Sequence, residues 1–372
     1  LWLVDLSQLN GQTPPNVPHV NVLGSECVDH WLWGNIVAFV RQGKKYLVIG
    51  GGRYEGANTI TPRLIIVDIT DPNNPQVVKQ LEDTGTKSSA HHVLYCPKSD
   101  TFYVVTSDGV LRKGTWDEVM NATSLRDLTA VKDYGTVVAL IALTQTKALV
   151  YNDSQGIYEI LNMETGQIEG TFTPPSGHFP VTSTKKLYIL ERDENANIVA
   201  VHVYDPDTLT EEKVFNLPSP VPAPSPAWAL AVAAVGDVIL WIVDNTLYVI
   251  DVANETVNTV TLPINVSGTV PINMYEGALL LFEKGDHCAL TNGWLYKVVL
   301  DAYVYARYDP STKKVCVYDE AGNPVANRTL YIGEITPATW NRGGATPKVT
   351  RTTGSDGCVD ISDLTGMLRI EL

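Results

Sequence analysis

The chain has 372 residues, with 27 Lys and Arg against 41 Asp and Glu and a formal net charge of −14. Because phosphate binding needs clustered cations, this balance argues against nucleic acid as a partner. The apolar content of 44% is typical of a globular protein. The most hydrophobic stretch, residues 227–243, is interrupted by Gly236 and Asp237, so it predicts two buried strands and no transmembrane helix.

The first residues predict two strands, Leu1–Leu6 and His19–Leu23, joined by a loop that contains prolines. They correspond to the outer half of a repeat unit whose inner half is missing. Since the chain starts with Leu inside a strand pattern, we expect that an upstream segment has been removed or left out. A cleaved signal peptide is one explanation, and an incomplete chain is the other.

One phrase, Leu64–Pro75 followed by Val77 and Val78, predicts a strand, a polar turn and a second strand. Weaker copies recur, and each places a marker residue directly after strand-forming residues, at Asp5, Asp68, Asp117, Asn162, Asp205, Asp251 and Asp301. A carboxylate at a strand end accepts N–H groups of the following turn, so these residues are predicted to be structural. A period of roughly 40–50 residues with four short strands per unit is typical of a β-propeller.

Six complete units can be placed between Cys27 and Tyr308. Seven outer strands against six sets of inner strands leave three arrangements open. A seven-bladed ring lacks inner strands from its N-terminus, a six-bladed ring uses residues 1–24 elsewhere, or a neighbouring subunit exchanges strands by β-augmentation. Seven blades are favoured, with six as the alternative. In the first unit, residues 51–62 are interpreted as a long surface loop that contacts a partner.

After Asp309 the chain changes to short strands and glycine-containing turns, which predict a small β-sandwich. The expected organisation is therefore all-β, with a propeller at residues 1–308 and a sandwich at residues 309–372. So small a domain has little core, and a disulfide between Cys316 and Cys358 is predicted to stabilise it. Cys27 and Cys288 form a second candidate pair, and Cys96 is expected to be free.

Three histidines, His30, His91 and His178, precede predicted inner strands, which line the central channel of a propeller. Convergence on a metal is the weaker interpretation, and hydrogen bonds to the next blade are favoured. We therefore expect no catalytic residue, no metal and no cofactor. The tryptophans are predicted to pack mainly within blades, with carbohydrate contacts as the alternative. Five sequons mark predicted turns or strand ends as acceptors for N-linked glycans, at Asn121, Asn152, Asn254, Asn265 and Asn327.

The phrase from Leu64 to Val78 closely resembles the LVIVD repeat of bacterial and archaeal surface β-propellers, most specifically at Asp71–Pro75. Residues 317–325 and 352–357 resemble transthyretin-like or bacterial Ig-like modules of exported proteins. Both resemblances imply an exported surface protein with binding, adhesive or assembly roles. Neither carries a catalytic motif.

The expected function is that of an extracellular or cell-surface protein without enzymatic activity. It is structural, adhesive or a subunit of a filament or lattice. The expected partners are further copies or other surface proteins, with residues 1–24 adding a strand to a sheet edge. Two other classes compete with this interpretation: a propeller enzyme, either quinoprotein-like or lactonase-type, and a soluble carbohydrate-binding module.

Overall fold

The structure is a computed structural model that describes residues 36–54, 60–83, 93–106, 108–135, 138–152, 154–175, 179–183, 185–223, 231–266, 272–275, 278–283, 294–299, 304–319, 321–339, 342–364 and 368–372. Across these ranges the chain folds into antiparallel sheets with very little helix. The fold is a β-propeller followed by a small β-sandwich, as predicted. The predicted seventh outer strand, at residues 1–24, lies outside the described residues.

Blades 1 to 4 are four-stranded antiparallel sheets whose strands follow chain order. Blade 1 contains β1 (Ile36–Arg41), β2 (Lys44–Tyr54), β3 (Ile60–Asp68) and β4 (Gln76–Glu82). Blade 2 contains β5 (Val93–Cys96), β6 (Thr101–Val105), β7 (Val110–Thr115) and β8 (Thr129–Asp133). Blade 3 contains β9 (Val138–Ala142), β10 (Lys147–Asn152), β11 (Ile157–Asn162) and β12 (Gln167–Phe172). Blade 4 contains β13 (Phe179–Thr182), β14 (Leu187–Arg192), β15 (Ile198–Tyr204) and β16 (Glu211–Val221).

Blade 5 contains β17 (Ala231–Val235), β18 (Val238–Asp251) and β19 (Thr256–Val266), and blade 6 contains β20 (Ile272–Tyr275), β21 (Ala278–Glu283) and β22 (Trp294–Val299). The long β18 reverses direction near Asp244, which has a positive φ of 54°. The Val252 N–H donates to the Asp237 carbonyl at 3.0 Å, so the two ends of β18 lie side by side. The two halves of β18 therefore act as two strands, and blade 5 has the same four-stranded pattern as blades 1 to 4.

The hydrophobic core lies between neighbouring blades, because alternate residues of a strand point to opposite faces of its sheet. In β2, Tyr46 and Val48 pack with residues of blade 2, including Tyr95 and Phe102. Further clusters join blade 2 to blade 3, blade 3 to blade 4, and blade 4 to blade 5. Blades 2 to 4 are thus each stabilised by both of their neighbours.

Two buried tyrosines form hydrogen bonds to the following blade, one from blade 2 to blade 3 and one from blade 4 to blade 5. Tyr103 of β6 donates its hydroxyl to the Met163 carbonyl at 2.8 Å, and Tyr188 of β14 donates to the Gly236 carbonyl at 2.7 Å. Burial raises the pKa of both hydroxyls above the usual tyrosine range. The hydroxyls therefore stay protonated and act as permanent donors across the blade boundary.

The marker residues are structural, as predicted, at the four copies where a turn follows the strand. Asp68 accepts the Thr70 N–H at 2.9 Å, Asn162 accepts the Glu164 N–H at 2.9 Å, and Asp251 accepts the Asn254 N–H at 2.9 Å. The backbone N–H of Thr208 donates to Asp205 at 2.8 Å and holds the pKa of that carboxyl below its usual range. Asp5 and Asp301 lie outside the described residues.

The prediction for Asp117 is wrong, because Trp116–Asn121 forms helix α1 instead of a turn. Thr115 caps this helix: its hydroxyl accepts the Glu118 N–H at 3.4 Å, while the Glu118 carboxylate accepts the Thr115 N–H at 2.7 Å. A short 3-10 turn at Leu125–Asp127 follows. This excursion packs on blade 1, where the Lys79 amine donates to the Ala122 carbonyl at 2.7 Å.

The predicted loop at residues 51–62 is also largely wrong. Residues 51–54 pair with residues 60–63 as a continuation of β2 and β3, from Gly51 opposite Arg63 to Tyr54 opposite Ile60. The flexible glycines at positions 50–52 are therefore strand residues, and the hairpin of blade 1 extends well beyond the usual blade length. Residues 55–59, at its tip, lie outside the described residues.

The sandwich consists of two three-stranded sheets packed on a shared apolar core. One sheet holds β23 (Val304–Asp309), β24 (Lys314–Asp319) and β27 (Cys358–Asp360), and the other holds β25 (Thr329–Thr339), β26 (Arg342–Thr352) and β28 (Leu368–Glu371). Because β23 pairs with β24 from Val304 onward, the sandwich begins a few residues before the predicted boundary at 308 and 309.

The predicted disulfide between Cys316 and Cys358 is present, with an S–S distance of 2.01 Å. It joins directly opposite residues of β24 and β27. Cys96 is free and buried, as predicted, whereas Cys27 and Cys288 lie outside the described residues.

Replacing both Cys316 and Cys358 by Ala is expected to destabilise the sandwich by about 2–4 kcal/mol, since an unlinked unfolded chain gains conformational entropy. Thermal denaturation followed by near-UV circular dichroism measures the change. Reductant should lower the melting temperature of the wild-type protein and have a smaller effect on the double variant. Equal effects of reductant on both proteins would show that this bond does not stabilise the sandwich.

Candidate functional site

The most distinctive feature of the structure is the position of the hairpin formed by β25 and β26. The backbone of β25 lies against β1, β5 and β9, and the backbone of β26 lies against β13 and β17. These five strands are the first strands of blades 1 to 5, and β5 approaches both β1 and β9, while β13 approaches β17. The hairpin therefore lies along the propeller axis, where the inner strands converge.

The length of the hairpin explains how it reaches the axis. Each of its strands has 11 residues, which corresponds to about 36 Å at the usual strand rise. β28 pairs with β25 at residues 331–334, so residues 335–339 and their partners 342–345 extend past the sandwich. The neighbouring sandwich strands β24 and β28 have only six and four residues. The hairpin strands are longer than these, and their far ends extend into the propeller.

A buried latch holds the sandwich on the propeller, at the turn between β17 and β18. The Gly236 N–H donates to the buried Glu371 carboxylate at 3.0 Å. The Lys185 amine lies 2.7 Å from Asp237 and 4.1 Å from the centre of the Tyr331 ring. Partial burial opposes the charge of Lys185, yet Asp237 and Tyr331 hold its pKa above the usual lysine range. Residues of blades 4 and 5 thus meet β25 and β28 of the sandwich at this latch.

Acidic side chains elsewhere in the described blades make structural contacts. Glu159 is buried and accepts two contacts from the Lys132 amine, at 2.6 and 2.8 Å, and one from the Tyr134 hydroxyl at 2.8 Å. These contacts join the outer strand of blade 2 to the third strand of blade 3. Arg41 likewise lies 2.9 Å from Asp100, joining blade 1 to blade 2.

His202 of β15 bridges the strands on either side of it. Its Nδ1 atom lies 2.7 Å from Glu211 and its Nε2 atom lies 3.0 Å from Glu191. The hydrogen bond to His202 and a second one from Tyr204 hold the pKa of Glu211 below its usual range. In the described part of the chain, no three His, Cys, Asp or Glu side chains are grouped so that they could hold a metal ion.

Several predicted site residues lie outside the described residues, namely His30, His91 and His178, so their convergence stays a prediction. Among the sequons, the side chains of Asn121, Asn254 and Asn327 are exposed, whereas Asn152 is buried and accepts a hydrogen bond from Ser154. Asn265 lies within β19. Asn152 is therefore the least accessible of the four acceptor residues whose side chains the structure describes.

The described tryptophan side chains agree with a packing role. Trp116 is 8% exposed and lies beneath the Arg41 guanidinium, 4.7 Å from its carbon. Trp241 is 1% exposed and donates to the Pro222 carbonyl at 3.0 Å. Neither ring is available for stacking on a sugar.

Sequence reasoning missed the insertion of the hairpin into the axis. The available signal was the length of the strand-forming stretch at residues 329–352, which exceeds what a small sandwich needs. Its partners lie far earlier in the chain, and the nearest of them, β17, ends at Val235, so no local pattern could identify them.

Comparisons with known proteins add little to this description. No protein-family model matches the sequence, and no curated protein matches it. A solved structure titled "Crystal Structure of Mitotic Checkpoint Complex" is similar with a TM-score of 0.42 and 11% identity over 84% of this chain and 93% of that chain. Within the described residues, no helix is long and hydrophobic enough to span a bilayer.

Proposed function

We propose that this protein is an exported, non-enzymatic surface protein that serves as a structural subunit of an extracellular assembly, such as a filament or lattice. The observation that carries this proposal is the hairpin along the propeller axis. Proteins usually bind small molecules and cofactors in concave sites such as channels. In this propeller the backbone of β25 and β26 lies against the inner strands of five blades. The hairpin therefore takes the place where a ligand would bind. The propeller is then a rigid platform, and the sandwich is locked to it.

The chemistry of the sandwich supports export. The disulfide between Cys316 and Cys358 lies between half-exposed residues, and such bonds persist in oxidising compartments. Three exposed sequon residues can accept glycans in the same compartments. The resemblance of Leu64–Val78 to the LVIVD repeat of surface propellers supports the same location.

The arrangement of acidic residues favours this proposal over a quinoprotein-like or lactonase-type enzyme. Such an enzyme requires ligands from several blades directed at one mouth of the channel. The acidic residues that the repeat supplies at regular intervals instead accept N–H groups of their own turns, as at Asp68, Asp205 and Asp251.

Immunogold electron microscopy of intact source cells tests the proposal. An antibody against the folded protein should label ordered material outside the cell, and the label should remain after washing in buffer of physiological ionic strength. Label confined to the cell interior, or recovered entirely as free monomer in the medium, would contradict it.

A further inference from the structure

The outer strand of blade 5 differs from the outer strands of blades 1 to 4 in its charge. Each of β4, β8, β12 and β16 carries at least one charged residue, for example Lys79 in β4 and Glu169 in β12. β19 has the sequence TVNTVTLPINV and carries none. Natural edge strands are commonly protected by charged side chains, because an uncharged edge pairs readily with another strand. β19 lacks this protection.

The first part of β19 is open to solvent. Four successive residues are exposed, namely Asn258, Thr259, Val260 and Thr261. β19 pairs with β18 along one side. β16 of blade 4 approaches β19 but belongs to a separate sheet, and the described residues pair no strand with the other side of β19. The free side of residues 256–262, called the β19 edge below, contains no proline, so its N–H and C=O groups are suited to a further strand.

Two sequons bracket this strand. The first, Asn254-Glu255-Thr256, ends on the first residue of β19. The second begins at Asn265, the next-to-last residue of β19, and is completed by Ser267. The other four outer strands contain no sequon and have none directly beside them. The one uncharged outer strand of blades 1 to 5 is therefore also the one with a glycan acceptor at each end.

Asn254 is placed to accept a glycan. It is exposed in the turn between β18 and β19. Its backbone N–H donates to one oxygen of the Asp251 carboxylate at 2.9 Å, and its side-chain amide donates to the other at 2.8 Å. Because an amide nitrogen carries two hydrogens, one can be substituted while the other keeps the contact with Asp251.

We propose that N-linked glycans at Asn254 and Asn265 cover the β19 edge and take the place of the charges on the other outer strands. This inference rests on the proposed export of the protein and names what protects the exported propeller from uncontrolled strand addition. In the reaction, the side-chain nitrogen bonds to the anomeric carbon of a lipid-linked oligosaccharide. The bond from that carbon to the lipid phosphate breaks, and one amide proton is released.

The spacing of the two acceptors matches the length of the edge. Position 265 follows position 254 by 11 residues, so the midpoint lies about 18 Å from each acceptor at the usual strand rise. An oligosaccharide of several sugars spans that distance. Such a glycan is bulky and solubilising, so it keeps the strands of other chains away from the N–H and C=O groups beneath it.

Glycopeptide mass spectrometry and light scattering of protein purified from its source cells test the proposal. Both Asn254 and Asn265 should carry glycans. Replacing both by Gln should make the concentrated protein aggregate roughly tenfold faster, because the edge is then bare. The matched control replaces Asn121 and Asn327, which are exposed acceptors away from β19, and should leave the rate unchanged. An unmodified Asn254, or equal rates for the two double variants, would overturn the proposal.

A second variant separates loss of the glycan from damage to the turn. Thr256→Ala removes the sequon at Asn254 and leaves Asn254 and its bonds to Asp251 in place. It should aggregate at the same rate as Asn254→Gln. If Asn254→Gln aggregates and Thr256→Ala, shown to lack the glycan, does not, the turn and not the glycan is responsible, which contradicts the proposal.

Charge should substitute for the glycan. In protein produced without glycans, Val260→Lys places a cation on the β19 edge and should slow aggregation roughly tenfold. Val214→Lys is the control, because Val214 is 39% exposed on the outer strand of blade 4, which already carries charge. It should leave the rate unchanged. Equal rates for the two variants would show that the β19 edge is not the site of aggregation.

The outcomes separate this inference from the proposed function. Surface assemblies in which Asn254 carries no glycan would overturn the inference and leave the assembly role standing. Glycosylated protein recovered entirely as free monomer would contradict the assembly role, while faster aggregation of the Asn254 and Asn265 double variant would still support protection of the β19 edge.

Discussion

Shortening the axial hairpin is expected to destabilise the propeller more than any single substitution. The variant replaces residues 335–345 with Asn-Gly, which forms a two-residue turn between the paired Glu334 and Thr346. The inner strands of five blades then lose their packing partner. We expect the melting temperature to fall by about 10 °C or more, equivalent to several kcal/mol at roughly 2–4 °C per kcal/mol. Differential scanning calorimetry measures it.

A matched control is available in the hairpin of blade 1. Replacing residues 52–62 with Asn-Gly removes the same number of residues and leaves the paired Gly51 and Arg63 in place. This segment extends β2 and β3 past Ile49, where the pairing of β2 with the inner strand β1 ends, so the melting temperature should change by less than about 2 °C. If the two shortened proteins melt at the same temperature, the axial hairpin does not support the inner strands.

Truncation of Trp241 should be the most damaging single substitution in the blades. Its ring is 1% exposed and packs in the core between blades 4 and 5, and its N–H donates to the Pro222 carbonyl at 3.0 Å. Trp241→Ala is therefore expected to cost about 3–5 kcal/mol, from lost apolar contact and the remaining cavity. Thermal or urea denaturation gives the value.

Two further variants separate the contributions at this position. Trp241→Phe keeps most of the apolar volume and loses the N–H, so it should show an intermediate loss of about 1–3 kcal/mol. Tyr308→Ala, at a residue that is 47% exposed, should stay within about 0.5 kcal/mol of wild type. A Trp241→Ala protein as stable as Tyr308→Ala would contradict the packing described here.

The sequence predicts those parts of the fold that depend on local chemistry. The recurrence of Asp or Asn at strand ends predicts the turns at Asp68, Asn162, Asp205 and Asp251, because the side chain and the N–H groups it binds are neighbours in the chain. The disulfide was predictable because both cysteines lie on strands of one small module. In each case the deciding interaction is short in sequence or confined to one unit.

Other features depend on partners that are distant in sequence. The axial position of β25 results from contact with blades that begin hundreds of residues earlier, and no periodicity of residues 329–352 encodes those contacts. The extended pairing of residues 51–54 depends on the strand opposite, since their glycines favour a loop when considered alone. Helix α1 has a local signal, the capping pair of Thr115 and Glu118, which the strand pattern that ends at Asp117 does not take into account.

A cryo-electron microscopy map of the full-length protein, in its assembled or free form, tests the central claim most directly. The account predicts continuous density for a two-stranded hairpin along the axis of the propeller, between the inner strands of blades 1 to 5 and joined to the sandwich. An open axial channel, with the hairpin folded outside the ring, would contradict the account and return the channel to consideration as a ligand site.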